Sequence, residues 1–130
     1  MGAVRGFHGD RFALSNLYPC PVLLGGHFYV SAWNAYFDRK GPRLLGKEEV
    51  RALLIEEAGR PDTARMQQVL AGKLAMNPGV ALLLRNTQGS SIQAEGNDLD
   101  ATWGPPRNLL GQALEEARRS LPSSGRTRKR

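Results

Sequence analysis

Apolar residues recur every three to four positions in five segments of the 130-residue chain, which predicts five helices. The spacing is clear near the C-terminus, where Leu110, Leu114, Ala117 and Leu121 would share one face of a helix. The predicted helices occupy residues 31–40, 47–59, 62–74, 77–87 and 107–121. We therefore expect a mostly helical chain.

Residues that commonly begin or end helices stand at the boundaries of these segments. Ser31 and Asp62 can each accept a hydrogen bond from a free amide of the first turn, and Pro78 suits a first helical position. The Gly-Pro pair at 41–42 would stop the first helix, and Gly59 would cap the second. These signals predict the helix ends.

Short extended segments are predicted on both sides of a glycine pair. Residues 12–24 and 27–30 would be joined by a tight turn, since the glycines at 25–26 tolerate the positive φ angles that a hairpin needs. Residues 91–95 alternate as a strand does, and 96–106 have the composition of a loop. The order β-β-α-α-α-α-β-loop-α predicts the α+β class, as a mostly helical single domain with a small sheet.

Composition and charge separate a folded body from a basic tail. Apolar residues make up 41% and charged residues 23%, values of an ordinary folded domain, which we place at residues 1–121. Four bases and no acid lie in residues 122–130, and without them 14 bases remain against 12 acids. The net charge of +6 therefore belongs mostly to the tail, which we expect to be disordered, although it could contact phosphates.

The sequence favours an intracellular setting. No apolar stretch is long enough to span a membrane, and the first residues lack the apolar segment of a signal peptide. Cys20 is the one cysteine and cannot form an internal disulfide. We expect a cytoplasmic protein without a membrane partner.

Familiar catalytic patterns are mostly absent from the sequence. There is no phosphate-loop glycine pattern, no GxSxG and no Cys/His cluster. His8 and His27 have no acidic ligand pattern around them, so we predict no metal site, and nothing requires a cofactor. Candidate chemistry lies in three polar loops, at residues 11–16, 97–104 and 107–108.

Five segments of the chain carry distinctive motifs: GFHGDRFALSNLYPCPV (6–22), SAWNAYFDRK (31–40), KLAMNPGVALLLRNT (73–87), AEGNDLDATWG (94–104) and RNLLGQALEEARRSL (107–121). The first ends in LSNLYPCPV, and the fourth ends in a D-x-x-WG pattern. In this order the segments resemble the NADAR superfamily of YbiA-like N-glycosidases, whose corresponding motifs read LSNFYPCPV and D-x-x-WG. The resemblance implies a YbiA-like fold over nearly the whole domain.

The resemblance also implies an activity. It predicts hydrolysis of N-glycosidic bonds in ADP-ribosyl or phosphoribosyl compounds, such as ADP-ribosylated guanine or pyrimidine intermediates of the riboflavin pathway. The partner would be an ADP-ribose-like or ribosyl-phosphate small molecule, either free or carried as a modification of nucleic acid.

Catalytic roles follow from the matched positions. Lys40 matches a family lysine and would act as nucleophile or proton shuttle. Asp100 would stabilise an oxocarbenium-like state, and Trp103, followed by Gly104, would stack on the base. Purely structural roles remain open for these residues: a solvated helix end for the lysine, a turn cap for the aspartate, and core packing for the tryptophan.

Other polar residues are predicted to bind the substrate. Ser15 and Asn16 would contact ribose hydroxyls, or would only close their own turn. Arg107 and Asn108 precede the last helix and would hold a phosphate, although Asn108 could instead be a helix cap. Arg11 is a further candidate for phosphate binding.

Two other functions stay open. Trp33 occupies the position where the resembled family carries a glutamate, and the chain is short between Lys40 and Arg65. A domain that kept the pocket but lost catalysis would bind ADP-ribose-like ligands as a reader or scavenger. The third possibility is a basic nucleic-acid-associated protein that uses residues 122–130, with binding that weakens steeply as salt increases.

Overall fold

The structure, a computed structural model, describes residues 3–96 and 98–122. Helices dominate this part of the chain, and the strands are short, so the predicted α+β class is confirmed. In chain order the elements are β1 (Ala3–Arg5), a 3-10 helix (Gly9–Leu14), β2 (Val22–Leu24), β3 (His27–Tyr29), α1 (Ala32–Tyr36), α2 (Lys47–Glu57), α3 (Thr63–Met76), α4 (Pro78–Arg85), β4 (Ser91–Gln93) and α5 (Leu109–Arg119).

The strands form two separate pairs. β2 and β3 are antiparallel and join through the glycine pair at 25–26, as predicted. β1, which the sequence pattern did not predict, pairs in parallel with β4, with Val4 opposite Ile92. This long-range pairing places the segment after β1 beside the segment after β4. Both segments contribute polar residues to the candidate site described below.

Helix α3 lies at the centre of the fold and packs against β2, α1 and α5. Its buried face carries Met66, Val69 and Leu70. The approach to β2 requires Gly72, since a Cβ atom there would lie 1.9 Å from the carbonyl oxygen of Leu23. The central helix and the hairpin are therefore in direct backbone contact.

Helix α1 is shorter than predicted. It ends at Tyr36, whereas the sequence pattern placed its end near Lys40. The buried side chain of Asn34 donates hydrogen bonds to the carbonyl oxygens of Arg39 and Arg43, at 3.1 and 3.0 Å. These bonds hold the following segment in a loop around Asn34, so Lys40 lies outside the helix.

Most of the predicted helix boundaries are confirmed. The side chains of Ser31 and Asp62 accept hydrogen bonds from amides of the first turn, and Pro78 is the first residue of α4. α2 ends one position earlier than predicted, because Ala58, and not Gly59, is its cap, in a left-handed conformation with φ of 56°. Local signals therefore predicted the starts of α1, α3 and α4 correctly and the ends of α1 and α2 less well.

The first predicted extended segment is only partly correct. Residues 9–14 form a 3-10 helix, and the strand is confined to the last part of the segment, β2. The predicted basic tail falls on residues that are mostly outside the described part of the chain, which ends at Pro122. Within residues 3–96 and 98–122, no helix has the length and apolar character needed to cross a membrane.

Candidate functional site

A cavity of about 350 Å³ lies between the segment after β1, the segment after β4 and the start of α2. The parallel pairing of β1 with β4 brings the first two segments together. Phe7, Phe12 and Leu99 contribute apolar wall. The polar and charged residues that line the cavity are His8, Ser15, Asn16, Lys47, Glu95 and Asp98.

Asp98 supplies a buried carboxylate to this cavity. The residue is 6% exposed, and its Oδ2 accepts a hydrogen bond of 2.7 Å from the indole Nε1 of Trp33. Its Oδ1 lies against Gly96, where a Cβ atom would be only 2.8 Å away. Glycine at position 96 therefore leaves the space in which the carboxylate lies.

Asn16, which also lines the cavity, has a buried acceptor. Its Nδ2 donates to the sulfur of Met66 at 3.5 Å, and its carbonyl oxygen accepts from the backbone amide of Trp33 at 3.1 Å. Among the described residues, its Oδ1 is buried and has no donor. A buried amide oxygen without a partner carries a desolvation cost that a ligand N–H or O–H group would relieve.

Ser15 is held from behind the cavity by Lys73 of α3. The Nζ of Lys73 donates to the carbonyl oxygen of Ser15 at 2.9 Å and lies 5.8 Å from the ring centroid of Tyr18. Lys73 is 1% exposed, and burial lowers its pKa to about 8. The lysine does not line the cavity but fixes the backbone that does.

Three of the residues that line the cavity have exposed polar or charged side chains: His8, Lys47 and Glu95. His8 is exposed and its ring lies over Gly6, where a Cβ atom would be 2.8 Å from Cε1. Glu95 is exposed and pairs with Arg5 at 3.8 Å, and Lys47 is exposed at the first position of α2. The cavity therefore combines acceptors in its wall with both signs of charge around it.

Lys40 does not line this cavity. Its ammonium group is exposed and forms an ion pair with Asp38 at 3.0 Å. The hydrogen bond from this group to the Asp38 carboxylate raises the pKa of Lys40. A lysine with a raised pKa is more firmly protonated, which is opposite to the change that makes a lysine nucleophilic.

Asp100 and Trp103 also lie away from the cavity lining. Oδ1 of Asp100 accepts hydrogen bonds from the backbone amides of Thr102 and Trp103, at 3.0 and 2.9 Å, and thereby closes the local turn. Trp103 is fully buried, with its Nε1 3.3 Å from a carboxylate oxygen of Glu57. Gly104 packs against the carbonyl oxygen of Asp100, 3.1 Å from where its Cβ would be.

The remaining predicted residues are dispersed. The side chain of Asn108 bonds to the backbone of Ile92 and Ala94, each at 2.8 Å, and so ties the start of α5 to the β4 segment. Arg107 is exposed. Arg11 lines a neighbouring cavity of about 400 Å³ that shares His8 with the first. Of the nine predicted site residues, the cavity brings together only Ser15 and Asn16.

Four of the polar or charged residues that line the cavity were not selected from the sequence: His8, Lys47, Glu95 and Asp98. Asp98 lies in the same loop as Asp100, and the D-x-x-WG spacing selects Asp100. Lys47 had no distinguishing sequence signal, since it lies among other charged residues at the start of a helix. Its position at the cavity depends on the tertiary arrangement of α2.

The fold defines this protein as an α+β domain of the YbiA-like type, and the family resemblance is thereby confirmed at the level of the fold. The NMR structure of the E. coli protein YbiA is similar to it with a TM-score of 0.63 and 19% sequence identity. The similarity covers 92% of this chain and 85% of that chain. No family model matches the sequence, and no curated protein matches it.

Proposed function

We propose that the protein is an N-glycosidase-type hydrolase that cleaves the bond between a ribosyl phosphate moiety and a nitrogenous group. The observation that carries the proposal is the buried carboxylate of Asp98 in the wall of a ligand-sized cavity. The YbiA-like fold and the resemblance of five sequence segments to N-glycosidases support the same activity. Candidate substrates are ADP-ribosylated guanine and phosphoribosylated pyrimidines.

Asp98 has the chemistry that such a cleavage requires. As the bond from ribose C1 to nitrogen breaks, the electron pair leaves with the nitrogen, and positive charge develops on the ribose ring. A carboxylate near the ring stabilises this charge. It can also take a proton from the water that attacks C1, and this proton is then passed to the leaving nitrogen. The products are a sugar with a hydroxyl at C1 and the free base with its N–H restored.

Asn16 and Lys47 would bind parts of the substrate that do not react. The buried Oδ1 of Asn16 lacks a donor among the described residues, and a ribose hydroxyl would supply one. Lys47 lines the same cavity and its ammonium group would pair with a phosphate. In this assignment Asp98 replaces Asp100 as the acidic residue of the site.

Substitution of Asp98 tests the assignment directly. Purified protein is incubated with ADP-ribosylated guanosine and with phosphoribosylated pyrimidines, and released products are measured by chromatography. We expect Asp98→Asn to lower turnover by about 100-fold or more, as is usual for the loss of a charged catalytic group. Asp100→Asn is the matched control, since an asparagine oxygen can still close the turn. Absence of turnover by the native protein on every substrate would reject the proposal.

A binding module for ADP-ribose-like ligands is the second candidate. It is favoured by one observation: Lys40, the predicted nucleophile, is exposed and paired with Asp38 away from the cavity. Calorimetric titration with ADP-ribose tests this function. Saturable binding without turnover would support it, and undetectable binding at millimolar ligand would reject it.

A further inference from the structure

Trp33 forms hydrogen bonds with two residues that line the cavity. Its backbone amide donates to the carbonyl oxygen of Asn16 at 3.1 Å, and its indole Nε1 donates to Oδ2 of Asp98 at 2.7 Å. Asn16 and Asp98 are distant in sequence and belong to different segments of the chain. One buried residue therefore links the backbone of Asn16 to the carboxylate of Asp98, and both of these residues line the cavity.

The indole is held firmly by its neighbours. Trp33 is fully buried, and its ring is stacked on Phe37 with centroids 5.6 Å apart. Tyr36 and Trp103 meet it edge to face at 5.7 and 6.2 Å. A rotation of the ring would break these contacts, so the direction of the indole N–H is fixed by the aromatic cluster.

A fixed donor on one carboxylate oxygen has a chemical consequence. A hydrogen bond to an ionised acceptor is stronger than one between neutral groups, and it compensates part of the cost of burying the charge. It also fixes the orientation of the carboxylate, with Oδ2 toward the core. The other oxygen, Oδ1, adjoins Gly96, which lines the cavity together with Asp98.

We propose that Trp33 is a positioning residue, whose indole N–H holds Asp98 in the orientation that the cavity uses to bind and activate its ligand. The inference rests on the proposed function for its catalytic consequence, but the Trp33–Asp98 bond can be tested without any ligand. Position 33 is the one at which the resembled family carries a glutamate. In this chain the carboxylate comes from another loop, and residue 33 supplies its donor.

The chain contains a matched control for this role. Trp33 and Trp103 are both fully buried, both belong to the aromatic cluster, and both donate an indole hydrogen bond to a carboxylate. Only the acceptor of Trp33 lines the cavity. Trp33→Phe and Trp103→Phe therefore remove comparable groups from the same core.

The functional arm compares these variants with ADP-ribose as the probe and ADP-ribosylated guanosine as the substrate. We expect Trp33→Phe to lower kcat by about tenfold or more, in line with the loss of a hydrogen bond to a charged group. Its KM should change by less than about threefold, since binding contacts elsewhere remain. In Trp103→Phe, both constants should stay within about threefold of the native values. Equal losses in the two variants would overturn the proposal, because they would indicate a merely structural role.

A double-substitution cycle separates positioning from packing. If Trp33 acts through Asp98, then Trp33→Phe combined with Asp98→Asn should be no slower than Asp98→Asn alone. Independent, multiplicative losses would overturn the proposal. Thermal unfolding of each variant establishes that a folded protein is measured.

The ligand-free arm uses the indole N–H signals in a proton–nitrogen NMR spectrum. The sequence has two tryptophans, so the two Phe variants assign both signals. We expect Asp98→Asn to shift the Trp33 signal and leave the Trp103 signal in place. An unchanged Trp33 signal would overturn the proposal even if the protein cleaves its substrate. If Asp98→Asn shifts the Trp33 signal but the native protein shows no turnover, the Trp33–Asp98 hydrogen bond is supported and only the proposed activity is rejected.

Discussion

The ammonium group of Lys73 lies 2.9 Å from the carbonyl oxygen of Ser15, fully inside the protein. This bond joins the central helix α3 to the backbone that forms one wall of the cavity. No carboxylate compensates the lysine charge among its hydrogen-bond partners in the described part of the chain, and burial lowers its pKa to about 8. The backbone of Ser15 in the cavity wall is thus hydrogen-bonded to a lysine whose pKa is shifted.

The lowered pKa predicts a pH-dependent stability. In the folded protein Lys73 loses its proton near pH 8, whereas in the unfolded chain it does so near its ordinary value of 10.5. Between these values the unfolded state binds more protons, so the free energy of unfolding should rise with pH, by up to about 3 kcal/mol. Below pH 8 this contribution should be flat.

Denaturant unfolding of the native protein and Lys73→Met at pH 7, 8, 9 and 10 measures this effect. Other groups also titrate at alkaline pH, so the difference between the two proteins is the informative quantity. The native protein should gain stability relative to the variant as pH rises. Parallel curves for the two proteins would contradict the assignment.

Lys47 and Lys40 together test whether the cavity is the place where ADP-ribose binds. Lys47 lines it and Lys40 does not. We expect Lys47→Ala to weaken ADP-ribose binding by about fivefold, as for a partly exposed charge pair, and Lys40→Ala to leave it unchanged. Calorimetric titration at low salt provides both affinities. Weaker binding in Lys40→Ala and unchanged binding in Lys47→Ala would contradict this assignment and would place Lys40 in the binding site.

Gly72 should not tolerate a side chain. A Cβ atom at this position would lie 1.9 Å from the carbonyl oxygen of Leu23, so Gly72→Ala must displace β2. We expect a loss of roughly 3 kcal/mol in the free energy of unfolding.

Gly79, in helix α4, provides the contrast, because it has no atom within 4 Å of its would-be Cβ. Gly79→Ala should instead stabilise the protein by about 0.5 kcal/mol or more. Thermal and denaturant unfolding would show the contrast, and similar effects in both variants would argue against close backbone contact.

Asp100 is expected to affect stability and not chemistry. Asp100→Ala removes an acceptor for the amides of Thr102 and Trp103 and should cost about 1 kcal/mol of stability, whereas Asp100→Asn should cost less. Melting temperatures of the two variants test this order. A variant that melts like the native protein but has lost turnover would place Asp100 in the site after all.

The helix boundaries and the hairpin could be predicted because their causes are local. Ser31 and Asp62 cap amides only three positions away, and the glycines at 25–26 allow the hairpin turn. Interactions of this range depend on neighbouring residue types alone. They are sufficient for the α+β class and for most helix ends.

The end of α1 and the strand β1 were not predicted, because both depend on interactions beyond the local sequence pattern. Helix α1 stops before Lys40 because the Asn34 side chain binds carbonyl groups of the next loop. β1 is a strand only because it pairs with β4, nearly ninety residues away by the register of Arg5 with Gln93. Neither effect leaves a trace in the spacing of apolar residues.

The sequence by itself determined the fold class, the order of the predicted elements and the resemblance that implies an N-glycosidase. The tertiary structure alone decided which polar residues share a cavity. The sequence motif selected Asp100, but in the structure Asp98 reaches the indole of Trp33, whereas Asp100 closes its own turn. That choice depends on contacts between residues far apart in the chain, and such contacts exist only after β1 and β4 have paired and the aromatic cluster has packed.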